Sequence, residues 1–428
     1  MSADDAGRAD QVRAARQACR GLVTHPGSNH LAYHLVAALQ RGGYDAHFET
    51  SVFWTGRGML ARLLRLLPAG KRAALERQLK RRSNEAVDAA RVATTPFPEL
   101  VYLASTRLGV SPARQLDVIA WRNDVLDRHF ARRVRALRPR FVIGHDSSAL
   151  LAQRAAQAAG ALGILNQVIG HIDAGLEVFA EEARRAPEFA ETLPVPPQRA
   201  IAICRAEALE ADRVIVPSDY VRDTMVARGV AESRIFVLPY GVDVERFRPG
   251  PPRDDGKFRV LFVGALSQRK GIKYLLEAAR RAAIPNLEVV CVGKLVGDRA
   301  AFAPYADIFR HVAHVPYHEV DRLFQSADVF VYPSLHEGSA FAIYEALASG
   351  LPVVCTPNAG SVVRDGIEGF LVAPRDVDAI VERLGVLHSE PDRRAAMARA
   401  ARARAEQFTW GHYGLRLTEW LDRQLGIA

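Results

Sequence analysis

The chain has 428 residues, 49% hydrophobic and 25% charged, which are globular values and leave room for two domains, each with its own core. Its formal charge of +9 and calculated pI of 9.6 admit an anionic partner, but no RNA-binding aromatic motif or zinc module accompanies them, so nucleic acid is not expected. Cys19, Cys204, Cys291 and Cys355 are widely spaced without a C-x-x-C, which argues against a zinc site and a disulfide framework.

The opening residues, "MSADDAGRADQVRAARQ", are polar and lack the apolar core of a signal peptide, and no apolar run approaches the roughly 20 residues of a membrane span. The expected compartment is the cytoplasm. "GLVTH" (21–25) then reads as a short strand, followed by an amphipathic helix from about Leu31 to Gln40 and a strand near "DAHFET".

Residues 57–82 carry nine Lys or Arg and one Glu, a net +8. Within them Met59, Leu60, Leu63, Leu64 and Leu67 recur at helical spacing, Arg62 and Arg65 fall on the other side, and Pro68 ends the run. A basic amphipathic helix of this kind suits an anionic membrane surface. It equally suits a core-packing helix in an Arg- and Ala-rich chain, as "RRAAMARAARARA" (393–405) shows again.

"RFVIG" (140–144) is a buried strand, and "HDSSALLAQRAAQAAG" caps a helix and carries it to Gly160. "ADRVIVPS", a helix from about Tyr220 and "SRIFVLPYGVD" complete the first half. "PGPPRDDGK" (249–257) is dense in Pro, Gly and charge, and marks a linker. The second half restarts with "FRVLFVGAL", then alternates helix, "LEVVCVG", helix, "HVAHV", and a strand at "ADVFVYPS" (327–334). The fold class is therefore α/β: two doubly wound, Rossmann-like domains over 1–248 and 249–410, with ligands at strand carboxyl ends and in the cleft between them.

Two clusters carry chemistry. In "GALSQRKGIKYLLEA", Gly264 ends a strand and Arg269, Lys270 and Gly271 stand before a helix. Two cations and a glycine at a helix start suit a diphosphate, although an Arg-Lys pair before a helix also suits a solvated surface. In "HEGSAFAIYEALASGLPVV" (336–354), Glu337 lies on the loop after a strand and Glu345 on the helix that follows. Eight residues along one helix would separate them by roughly 12 Å of rise, so they suit two parts of one long ligand rather than two sides of one bond. Between them Gly338, Ser339, Ala340 and Phe341 lead into the helix, where free amides favour an anion. Ser339 as a cap and Glu345 as a solvated helix residue are the alternatives.

Together, the two clusters resemble the donor-binding domain of the family 4 (group 1) glycosyltransferases, retaining enzymes of the GT-B fold. "ADRVIVPSDYV" and "PYGVDVERFRP" are similar to the stretch that closes that family's first domain, and "FTWGHYGLRLTEWL" (408–421) to its terminal helix. The likeness covers most of residues 200–421. It implies a nucleoside-diphosphate sugar donor bound by the second domain, a glycan, glycolipid or small hydroxyl acceptor bound by the first, and residues 411–428 packing back on the first.

The resemblance also implies roles. Glu337 would bind the hydroxyls of a hexose-type sugar, Glu345 the ribose, and Arg269 and Lys270 the departing diphosphate. His145 would stand near the transferred sugar, unless it is a turn histidine capping the next helix. Transfer would proceed by front-face displacement with neither a protein nucleophile nor a cofactor, and no metal is expected because Arg269, Lys270 and a helix start take the cation's place and no Asp-x-Asp motif is expected. Departures are Gly27 alone in "HPGSNH", where many members have two glycines behind the diphosphate, and Ala265, where many have Arg. Other readings are a sugar-nucleotide epimerase of the same fold, a two-domain ligand binder, and a basic nucleic-acid-binding protein.

Overall fold

The computed structural model describes residues 3–427 apart from 28, 57–61, 63, 67, 81, 317 and 318. Two parallel sheets organise it. The first holds β1 (Arg20–His25), β2 (Asp45–Thr50), β3 (Val92–Thr94), β4 (Phe141–His145), β5 (Leu162–Asn166), β6 (Arg213–Val216) and β7 (Ile235–Val237), in the order β3-β2-β1-β4-β5-β6-β7. The second holds β8 (Phe258–Val263), β9 (Leu287–Val292), β10 (Phe309–Val312), β11 (Val329–Tyr332), β12 (Val353–Cys355) and β13 (Gly369–Leu371), in the order β10-β9-β8-β11-β12-β13.

Strand order reverses between β1 and β4 in the first sheet and between β8 and β11 in the second. At such a reversal successive connections leave to opposite faces and open a crevice beyond the strand carboxyl ends. Gly27 follows β1, His145 ends β4, Gly264 follows β8 and Glu337 follows β11, so both crevices collect the residues singled out in the sequence.

The central strands β11 (VFVY) and β12 (VVC) read as unbroken apolar runs because helices cover both faces. Val23, Ile143 and Ile164 pack on one side of the first sheet, with helix His30–Arg41, while Leu22 and Val142 pack on the other, against Phe130 and Val134 of helix Pro112–Leu137. Asn29 starts the former helix by accepting a hydrogen bond from the Leu31 amide at 2.8 Å. The final helix, Trp410–Leu425, returns to the first sheet and lies against His30–Arg41. There the Tyr44 hydroxyl donates to Asp422 at 2.6 Å, Arg16 pairs with the same carboxylate, and His34 stacks on Trp410 at 3.6 Å.

Several local expectations change. The helix after β4 spans Leu150–Ala158, and neither Ser147 nor Ser148 caps it. Its first amides donate instead to buried carboxylates: Ala149 and Leu150 to Glu207, Leu151 and Ala152 to Asp127. Tertiary contacts have replaced a local cap. β10 begins two residues before the expected "HVAHV", and β3, β5 and β13 join the sheets unannounced.

Of the basic run, Met59, Leu60, Leu63 and Leu67 lie outside the described residues. Leu64 is buried, Arg62 and Arg65 are exposed, and Leu66 is 80% exposed. Among the described residues no helix is long and apolar enough to cross a membrane.

Candidate functional site

The turn Gln268–Lys270 leaves β8 and bends into helix Ile272–Arg281 through Gly271, whose φ is +70°. A β-carbon there would overlap the Pro333 carbonyl oxygen, so glycine lets the turn lie against the end of β11. Glu337 sits on the loop that β11 feeds. Its carboxylate receives Lys270 Nζ at 2.8 Å and Arg269 Nη1 at 3.0 Å.

The Tyr332 hydroxyl lies 3.4 Å from the same carboxylate and also receives Lys270. Burial by itself would raise the Glu337 pKa, but Lys270 and Arg269 outweigh it and hold the carboxyl down at about 2. Two cations against one carboxylate leave the cluster at 2 − 1 = +1. Arg269 also donates to the His336 carbonyl at 2.8 Å, and it supplies the second cation in a chain with Ala265 at the position after Gly264.

The amides at each helix start are less open than expected. Lys273 N, in the first turn of its helix, donates to the Gln268 side chain at 3.3 Å, and Ala340 N, just before the other, to the Ala359 carbonyl at 3.2 Å. Ala340 therefore does not offer its amide to an anion, and Ser339 is not a cap, because its hydroxyl donates to the Gly360 carbonyl at 2.6 Å. Gly338 marks a close approach: a β-carbon there would overlap the Val168 carbonyl oxygen of the loop after β5. The Ser218 hydroxyl donates to the Gly338 carbonyl at 2.6 Å, a second contact from the first half of the chain.

Glu345 faces elsewhere. With Phe341 of the same helix, it lines a cavity of about 140 Å³ shared with His30, His34, Asp243 and Trp410. Burial pushes its carboxyl up to about 7, against a smaller opposing pull from Arg246. Phe341 stacks on Tyr240 at 4.6 Å, fixing the helix start. The two glutamates thus serve two distinct surroundings. A larger cavity, about 930 Å³, lies at the opposite edge of the first sheet, near Arg13, Arg41 and Asp45, away from the strand carboxyl ends.

On the first sheet, His145 is buried and its Nδ1 lies 2.9 Å from the Thr24 carbonyl, which makes Nδ1 the protonated nitrogen and leaves Nε2 as a buried acceptor with no partner among the described residues. Burial lowers its pKa to about 4, so the ring is neutral. His25 stands edge-on to it at 4.8 Å, with its Nδ1 held by the Gly27 backbone.

Other residues of the crevice escaped the sequence reading. Asp146 follows His145, and burial pushes its carboxyl up to about 7 against backbone hydrogen bonds from Val168 and from its own amide. The adjacent "HD" was its only signal. Beside Gly27, Glu99 is buried between Arg82 and Arg122, at 2.8 and 2.9 Å. His336 hydrogen-bonds Tyr220 at 2.8 Å and packs against Phe179. These long-range clusters have no local pattern.

One Asp-x-Asp occurs, at Asp376-Val377-Asp378, but Asp376 caps a helix by accepting from Ala379 N at 2.8 Å and Asp378 pairs with the exposed Arg281. Among the described residues, no group of three or more His, Cys, Asp or Glu is placed to hold a metal ion.

The family described as glycosyl transferases group 1 matches residues 243–404. The D-inositol 3-phosphate glycosyltransferase of Corynebacterium urealyticum is 31% identical over 246 residues, which cover 51% of this chain and 58% of that protein. Its counterpart in Mycolicibacterium paratuberculosis is 34% identical over 241 residues, covering 51% and 54%. The chain spans little more than half the length of these curated relatives.

Among solved structures, Anabaena Alr3699/HepE in complex with UDP and glucose superposes with a TM-score of 0.62 at 15% identity, covering 95% of this chain and 100% of that one. Sucrose-phosphate synthase from Thermosynechococcus elongatus gives 0.64 at 16%, covering 96% and 100%.

Proposed function

We propose that this chain, which belongs to the group 1 glycosyltransferases and has their two-domain GT-B fold, moves a hexose from a nucleoside-diphosphate sugar to an acceptor hydroxyl with retention of configuration. The observation that carries this reading is Glu337 held between Lys270 and Arg269 where strand order reverses.

The cations bind the diphosphate. Negative charge grows on it as the bond from the anomeric carbon to the phosphate oxygen breaks, so their stabilisation is greatest in the transition state. Glu337 orders the sugar by accepting from its hydroxyls, and Glu345 the ribose. The acceptor oxygen bonds the same face of the anomeric carbon, and its proton passes to the departing phosphate oxygen. His145 Nε2, on a neutral ring and with no partner among the described residues, accepts a hydrogen bond from a hydroxyl of the sugar.

The acceptor binds beside Gly27. The Arg82–Glu99–Arg122 cluster carries 2 − 1 = +1 there, which suits an acceptor bearing an anionic group, in keeping with the phosphate named for the curated relatives. The basic segment 57–82 would hold the enzyme to an anionic membrane on its cytoplasmic face if that acceptor is lipid-linked.

A screen of UDP-, GDP-, ADP- and TDP-sugars, with and without EDTA and read as released nucleotide, tests the reading. One or more donors should be hydrolysed at the same rate in both arms. Release from none of them overturns the donor-site assignment, and activity lost with EDTA and restored by manganese overturns metal independence.

A further inference from the structure

Arg269 and Lys270 stand on a turn whose geometry is fixed largely from the other half of the chain. Gln268, fully buried, donates its backbone amide to Thr192 Oγ1 at 2.8 Å and its side-chain Nε2 to Glu182 Oε2 at 2.7 Å. Its remaining side-chain oxygen accepts the Lys273 amide at 3.3 Å. Both ends of the side-chain amide are therefore engaged, and the turn cannot rotate without breaking contacts on three sides.

Glu182 has 0% exposure, yet it is a carboxylate on helix Ile172–Arg185, before the linker. Among the described residues its three side-chain donors come from beyond the linker: Gln268, the Tyr274 hydroxyl at 2.8 Å and Arg375 Nε at 2.5 Å. A charge so buried is tolerated only when paired and hydrogen-bonded, and removing one partner of such a set is costly. Around it, Lys273 pairs with Glu188 at 2.7 Å and Arg375 with Glu181 at 2.8 Å.

The other end of the same helix touches the other half of the donor cluster. His171 caps it, and His336, the residue before Glu337, fills the space beside Gly170 and Gly175, where a β-carbon would collide with its ring. One helix thus spans from the neighbour of Glu337 to the neighbour of Arg269.

We infer that Glu182 is a positioning residue: through Gln268 it sets the turn that presents Arg269 and Lys270 to the diphosphate, with helix Ile172–Arg185 as the template. The inference rests on the donor-site reading above. It places part of the donor site's precision in the first half of the chain.

Inorganic pyrophosphate, which needs no base or sugar pocket, is the probe, and titration calorimetry on the full chain is the measurement. Glu182→Gln sets an amide NH2 against a donor in either orientation, Gln268 Nε2 or Arg375 Nε, and should weaken pyrophosphate binding about tenfold or more, as expected when charges are misplaced by about an ångström. The exchanged pair, Glu182→Gln with Gln268→Glu, restores one donor and one acceptor at the same net charge and should recover at least half of the loss.

Equal pyrophosphate affinity in the wild type and Glu182→Gln, whatever happens to the melting temperature, overturns the proposal alone, because a purely structural role lowers only the melting temperature. A double variant as weak as the single one overturns the assignment to this contact. Absence of pyrophosphate binding by the wild-type protein overturns the proposal and the donor-site reading together.

Discussion

Lys270 Nζ lies 2.8 Å from Glu337 Oε2, although the two residues are 67 positions apart and leave different strands of the second sheet. The pair joins the two sequence clusters into one site, and the same lysine must serve the carboxylate and an incoming phosphate. Replacing either residue removes both a binding contact and the partner that keeps the other in place.

Glu337→Ala and Lys270→Ala should each lower kcat/KM for donor by about two orders of magnitude or more, the scale of one lost transition-state contact. Steady-state release of nucleotide, with circular dichroism as the fold control, checks it. Near-wild-type turnover in a folded variant would remove Glu337 and Lys270 from the donor site.

Glu345 provides a pH signature. Its carboxyl is raised from an ordinary 4.5 to about 7, so the fold favours its protonated form. The associated stability is fully present below pH 4.5 and is lost as the pH rises through 7. Glu345→Gln should therefore melt close to wild type at pH 4 and above it at pH 8, while binding nucleoside diphosphate less tightly at pH 8. Thermal melts at both pH values decide it, and a difference in melting temperature independent of pH would place Glu345 in a solvated setting.

The product should keep the anomeric configuration of the donor, because nothing in the proposed reaction attacks from the far face. Proton NMR of the anomeric coupling in the product reads this directly. An inverted product would call for a general base on the opposite side, and Asp146 would become the first residue to replace.

Segment 57–82 should carry the protein down with anionic vesicles at low salt, at about 1 kcal/mol per cation near the surface. Raised salt, or Arg62, Arg65, Lys71 and Arg72 changed to Glu, should release it. Protein that stays in the supernatant at low salt assigns the segment to the core, the direction in which buried Leu64 already points, and favours a soluble acceptor.

The sequence by itself determined the periodicities and the local chemistry. Strand and helix alternate because apolar runs and 3.6-residue patterns alternate, and a strand near "DAHFET" was legible, which the fold sets at Asp45–Thr50. Arg269, Lys270, Glu337 and Glu345 were legible because each lies in a short motif at a strand end.

What the sequence could not determine were the relations among residues far apart in it. β5 (Leu162–Asn166) is a short apolar run that no periodicity separates from a buried helix, and only its place between β4 and β6 makes it a strand. Ser147 and Ser148 looked like caps until Asp127 and Glu207, over 20 and over 50 residues away, took the same amides. Ala340 offered an amide until Ala359 folded against it. Glu182, in an ordinary amphipathic helix, gave no sign of its role, because a buried carboxylate is defined by the donors that surround it, and the three among the described residues lie 86 to 193 positions away in the chain.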